Sequence, residues 1–205
     1  MTDKALPIFE LPLVLLPGEA LPLHIFEERY KAMIGHCLEA DEPFGVVLRD
    51  EDGARSVGCS ARVREVLERL PDGRLNILTV GDEPFRVLDR FDEPEWPAAE
   101  IELLVDSDAE PDEPAAQEAR AAFADLAEKA TGTIPDPAEV DAASAYDLAA
   151  RVELPTDAKQ RLLESRDEGE RMALLANALR AVSKALERAE EDAGRAQSNG
   201  KVPGT

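Results

Sequence analysis

Cations, aromatics, cysteines and histidines are all scarce in this 205-residue sequence. Lys and Arg number 23 against 44 Asp and Glu, and the deficit is spread evenly, with 11 of the cations and 22 of the acids falling in residues 1–105. Phosphate backbones are gripped by clustered Lys and Arg that displace counterions. Nucleic acid is therefore not expected as a partner, nor is an anionic membrane surface. No apolar run approaches the roughly 20 residues needed to cross a bilayer. The opening "MTDKALPIFE" has neither the basic nor the apolar region of a secretion signal, so a cytoplasmic protein is expected. Cys37 and Cys59 lack C-x-x-C spacing, and as reduced thiols they read as small buried hydrophobes. With only His24 and His36 beside them, no metal site is expected, and no cofactor.

What is present divides into two grammars. Up to about residue 105 the chain reads as strands and turns with one inserted helix. "IFELPLVLL" is an apolar run of strand length that ends at the Pro17-Gly18 turn, and "ALPLHIF" is a second extended stretch in which Pro22 suits a sheet edge. From Phe26 the period changes: Phe26, Tyr30, Met33, Ile34, Cys37 and Leu38 share one helical face, with Glu27 and Glu28 in the first turn. Strands follow in "PFGVVLR", "SVGCSARVREVLERL", "LNILTV", "FRVLDRF" and "AAEIELLV", giving six or seven in all. Gly53 and Gly73 stand where turns need positive φ. In the long "SVGCSARV" strand the alternation slips at Glu65-Val66, which predicts a bulge.

After the acidic connector "DSDAEPDEP" strand signals vanish. "AAQEARAAFADLAEKATG" is helical with Gly132 as its stop, and "DPAEVDAASAYDLAARVEL" is helical in its second half. Thr156 is placed to cap a short helix. Asp167 with Glu170 resembles a capping box that opens the longest helix, whose Met172, Leu175, Leu179, Val182 and Leu186 form a stripe. The expected fold class is α+β, a mainly antiparallel pseudo-barrel with one inserted helix followed by a helical bundle. The expected organisation is a β-rich lobe over 1–106, a bundle over 107–194 and a disordered tail over 195–205.

The ordered run of Pro-Gly, Leu-Pro-Leu, Phe-x-x-Arg-Tyr, Phe-Gly, Val-Gly, Pro-Asp-Gly-Arg and Phe-Arg-Val, between residue 5 and about 105, resembles the N-terminal substrate-binding domain of Lon-type ATP-dependent proteases. The likeness is strongest to free-standing bacterial proteins made of this domain alone, and it continues more weakly through "AYDLAARVELPTDAKQRLLESRDEGERMALL". It implies a PUA-like pseudo-barrel, a helical extension and the binding of polypeptides. Neither a phosphate-binding G-x-x-x-x-G-K-[ST] loop nor a serine in a Gly-rich strained turn is found, so no ATPase or Ser-Lys protease chemistry is expected.

The expected function is therefore non-enzymatic: a module that engages apolar polypeptide segments, as monomer or weak dimer, in concert with an ATPase or protease encoded elsewhere. The peptide-binding candidates are aromatic, namely Trp96, Phe26, Tyr30 and Phe44. Phe26 and Tyr30 have a competing structural role as anchors of the helix on the barrel. Two rival readings are a small hydrolase using His24 and Glu27, which lacks an evident nucleophile, and an RNA binder of the PUA-like kind, which the charge disfavours.

Overall fold

The structure, a computed structural model, describes residues 5–92, 95–109 and 112–199. In chain order the elements of the first half are β1 (Leu6–Leu11), β2 (Ala20–Ile25), α1 (Glu28–Ala40), β3 (Phe44–Asp50), β4 (Gly53–Arg69), β5 (Leu75–Asp92) and β6 (Pro97–Leu103). The second half is helical: α2 (Glu113–Thr131), α3 (Pro137–Ala142), α4 (Ala145–Ala149), α5 (Thr156–Glu164) and α6 (Glu168–Asn199). The fold is α+β, with a sheet that is antiparallel throughout except where β1 runs parallel to β3.

Two long strands organise that sheet. The first part of β4 pairs with β3 and with the second part of β5, which in turn pairs with β6, and β6 returns to β1. Since β1 pairs with β3, these contacts close a ring. The remainder of β4 and β5 runs on beyond the ring as a two-stranded arm, and β2 joins its β5 edge. Pro22 lies in this terminal strand, where a residue without an N–H does the ladder least harm. Gly45 and Gly58 leave the space into which Phe85 packs; a Cβ on Gly58 would stand 2.8 Å from the Phe85 ring and 2.5 Å from the Val46 carbonyl oxygen.

"LNILTV" and "FRVLDRF", expected as separate strands, are one continuous β5. The "GDEP" between them reads as a turn, but it is absorbed as a register shift opposite Cys59 and Ala61, where β5 exchanges β2 for β6 as partner. The slip predicted near Glu65 is present as shifts between Val63 and Glu65 and between Val66 and Glu68. Gly18, Gly53 and Gly73 all take positive φ at their turns. Helix α1 begins at Glu28, so Phe26 does not anchor it. Its buried face is Tyr30, Met33, Ile34 and Cys37, and it ends on Asp41 in the left-handed conformation.

In the helical half α3 was not foreseen; Asp136 caps it by accepting from the Ala138 N–H, with Pro137 in the first turn. Pro155 rather than Thr156 occupies the N-cap of α5. Asp167 accepts from the Glu170 N–H at 2.7 Å, whereas the Glu170 carboxylate turns to the Ser165 hydroxyl at 2.6 Å, so only half of the capping box forms. Helix α6 continues past the expected boundary at 194 to Asn199, and residues 200–205 lie outside the described residues. One buried apolar cluster runs without a break from Phe9, Leu16 and Ile77 of the sheet side to Phe123, Leu162 and Leu179 of the helices.

Where the sheet hands over to the helices, Arg171 is buried with 2% of its surface exposed. Its guanidinium donates to both carboxylate oxygens of Asp106, to Glu168 and to the Ser165 carbonyl. Those bonds hold the Asp106 carboxyl below the usual carboxylate range. A carboxyl with a depressed folded-state pKa adds stability that is present above the unfolded value, near 4, and lost as pH falls through the folded one. Urea unfolding is expected to show Asp106→Asn less stable than the parent by about 1–2 kcal/mol at pH 7, because the carboxylate is half exposed. The gap should close as pH drops below about 4; a gap independent of pH would contradict the assigned role.

Candidate functional site

Side chains alternate across a strand, so the register of the arm sorts its residues into two faces. Leu21, Leu23 and Ile25 of β2, Leu75, Ile77 and Thr79 of β5, and Val63 and Val66 of β4 point inward; all of these but Thr79, which is itself fully buried, belong to the core cluster or pack against it. The outer face carries Ala20, Pro22 and His24, then Asn76, Leu78 and Val80, then Arg62, Glu65 and Glu68. Leu78 and Val80 are half-buried there without joining the core.

Two exposed apolar side chains border this face. The alternation of β2 continues one residue beyond its end, which turns Phe26 outward at 59% exposure, its ring 6.0 Å from that of His24. Leu67 is the residue left unpaired between Val66 and Glu68, and it stands 53% exposed. A bulge re-aims a side chain in this way at no cost to the pairing on either side. Leu67 lines a shallow concavity of about 570 Å³ together with Pro22, Leu23, His24, Glu68, Asn76 and Ile77, and Phe26 stands beside His24.

A cross-strand polar row forms its floor. The Asn76 amide donates from Nδ2 to Glu68 Oε2 at 2.8 Å, and its Oδ1 faces His24 Nδ1 at 2.6 Å. A carboxylate only accepts, so Glu68 fixes which end of the amide is which, and Asn76 Oδ1 then requires the proton on His24 Nδ1. With the ring neutral, Nε2 is left as an outward acceptor.

The four aromatic candidates are not brought together. Tyr30, at 5% exposure, stacks on Phe9 with centroids 4.1 Å apart, and burial pushes its hydroxyl above the usual range; Phe44 is wholly buried. Both are core residues with no surface to offer a peptide. Trp96 is half-buried against the core and stacked on His36 at 5.2 Å. About 12 Å of helical rise separates His36 from Glu28 at the end of α1 next to Phe26. His24 bonds Asn76, Glu27 bonds Arg29 at 3.1 Å, and burial pushes the Cys59 thiol up to about 12. The residues of the hydrolase reading are thus committed elsewhere. The functional residues that sequence reasoning missed are Leu67, Glu68, Asn76 and Leu78; the slipped alternation at Glu65-Val66 was the available signal for Leu67.

A larger concavity, about 710 Å³, lies between the β3–β4 turn and α5. Its walls are charged and already matched: Arg49 to Glu10 and Arg55 to Asp50, each at 2.6 Å, and Arg161 to Asp157 at 3.2 Å. The outer face of the arm is the better candidate, since exposed Leu67 lines its concavity and its acids form no ion pair among the described residues. Among the described residues no helix is long and apolar enough to cross a membrane, and no cluster of three or more His, Cys, Asp or Glu is arranged to hold a metal ion.

Comparison with known proteins gives a consistent picture. The ATP-dependent protease La (LON) substrate-binding domain family matches residues 5–181. The crystal structure of a Lon N-terminal domain protein from Xanthomonas campestris is similar with a TM-score of 0.66 and 26% identity, over 84% of this chain and 96% of that one. The N-terminal domain of the Mycobacterium avium complex Lon protease is similar with a TM-score of 0.66 over 86% of this chain and 98% of that one, and at 19% identity it shows the fold alone.

The thiols provide a check on the site's chemistry. Burial pushes the Cys59 thiol up to about 12, which disfavours the reactive thiolate at pH 8. Ellman's reagent at pH 8 should find neither Cys37 nor Cys59 in the native protein, since both are buried, and both once guanidinium unfolds it. A rapidly reacting native thiol would restore the cysteine-dependent hydrolase as a reading.

Proposed function

We propose that this chain, which belongs to the ATP-dependent protease La (LON) substrate-binding domain family, binds exposed apolar segments of other polypeptides on the outer face of the β2–β5–β4 arm. The observation that carries the reading is a concavity lined by exposed Leu67 and by the hydrogen-bonded row of His24, Asn76 and Glu68, with exposed Phe26 beside His24. Shallow apolar ground with a few placed polar atoms suits a chain segment better than a small substrate that must be enclosed. In this role the protein is a cytoplasmic, non-catalytic receptor that presents clients to an ATPase or protease encoded elsewhere, and it works as a monomer or weak dimer.

Affinity follows from area. A fully buried Leu or Phe is worth roughly 1.5–3 kcal/mol, and Phe26 and Leu67 already have part of their surface covered. Each then adds about 1–1.5 kcal/mol on contact, against the cost of association. Binding in the micromolar range or weaker is expected. The test is calorimetric titration with a capped peptide carrying a Leu-Phe-Val-Leu core flanked by serines. Phe26→Ser and Leu67→Ser should each weaken binding about tenfold, while Trp96→Phe leaves it unchanged. Undiminished binding by both serine variants, or loss only in the Trp96 variant, would move the site off this face.

A further inference from the structure

Resting on that reading, we infer that the preferred occupant of this face is a cationic polypeptide segment, an apolar residue flanked by Lys or Arg. The argument is the state of the charges around the concavity. Glu68 accepts a hydrogen bond from Asn76 and has no ion-pair partner among the described residues; Glu65, on the same face of β4, has none either. Four neighbouring cations are already engaged. Arg62 reaches Asp82 at 3.7 Å and the Asp41 carbonyl at 3.1 Å, Arg29 holds Glu27 at 3.1 Å, Lys31 holds Glu28 at 2.6 Å, and Arg74 holds Asp72 at 2.8 Å.

Two further arginines lie on β4. Arg69 stands opposite Leu75, in the register of the inward face. Arg64 is displaced at the register shift between Val63 and Glu65, and neither arginine lines the concavity, whose lining includes Glu68. The Glu65 and Glu68 carboxylates turned to a ligand are acceptors only. A ligand that brings hydrogen-bond donors and positive charge beside an apolar side chain satisfies every part of this surface. An acidic segment meets Glu65 and Glu68 directly, in the field of a chain with net charge −21.

Three capped peptides test this by calorimetry, sharing the Leu-Phe-Val-Leu core and flanked by lysines, serines or glutamates. The lysine peptide should bind about tenfold more tightly than the glutamate peptide at low salt, with the gap shrinking severalfold at high salt. The double variant Glu65→Lys, Glu68→Lys should invert the order. A control that changes net charge equally, Asp125→Lys with Glu128→Lys on α2, should keep it, because α2 packs on α3, α4 and α6 and not on the arm.

Equal binding of the three peptides, or a ranking that follows the α2 control as closely as the arm variant, overturns the proposal and leaves the apolar site standing. Loss of the site itself shows separately, as serine-peptide binding that ignores Phe26→Ser and Leu67→Ser.

Discussion

Arg171 brings a full positive charge into the protein interior, and burial alone would lower its pKa. The hydrogen bonds it donates to Asp106 and Glu168 outweigh that effect and hold its pKa above the ordinary value. Each partner ties down a different piece of chain. Asp106 follows the last strand, Glu168 opens α6 and also accepts from the Ala145 N–H at 2.7 Å, Ser165 closes α5, and the Tyr146 ring of α4 lies 4.6 Å from the guanidinium carbon. Arg166 extends the junction by donating to the Leu104 carbonyl, and the Ser107 N–H donates to the Arg166 carbonyl at 2.7 Å. Removing any one of these carboxylates leaves a buried charge short of a partner, so the exit of the sheet and three helices are placed by one group.

With the helices held there, the far side of the sheet is left open. Lys159 of α5 pairs with Glu19, and Gln160 donates to the Val57 carbonyl at 3.3 Å, so α5 lies over the ring portion and the turn before β2. The arm of β4 and β5 extends away from that contact. Its inner face is buried by α1 and the core, and its outer face keeps half-buried leucine and valine with no layer laid over them. An antiparallel sheet tolerates one such face in water when it is mostly polar. Here Leu78 and Val80 interrupt the polar positions, and Phe26 and Leu67 stand exposed beside them.

How much of this was readable differs by residue. Turn glycines at 18, 53 and 73, the bulge in β4, the edge position of Pro22 and the buried face of α1 all follow from local chemistry, and the structure has them. The aromatic candidates fared differently, because residue type does not say which face a side chain takes. Tyr30 and Phe44 are in the core for the same reason that made them attractive, a large apolar surface. Phe26 looked like the first residue of the helical face; it belongs instead to the last alternation of β2, a choice settled by pairing with β5 that no local window contains. Asn76, Glu68 and His24 come together only through the register of three strands, so their row had no sequence signature at all.

The acidity of the chain looks different once the arm is placed. Spread over a surface, a large negative charge is a solubility device and says little about partners. Many of the acids bear this out, standing on exposed ground where any ion pair contributes little. Glu65 and Glu68 differ in their surroundings, since they share their face with half-buried Leu78 and Val80 and form no ion pair among the described residues. An uncompensated carboxylate beside exposed leucine makes collapse onto another acidic apolar surface costly, including a second copy of this chain, whose arm carries the same charges. The same pair lowers the free energy of a cationic apolar segment. A face built in this way resists self-association while remaining sticky to a defined class of polypeptide, which a purely apolar patch of the same size cannot do.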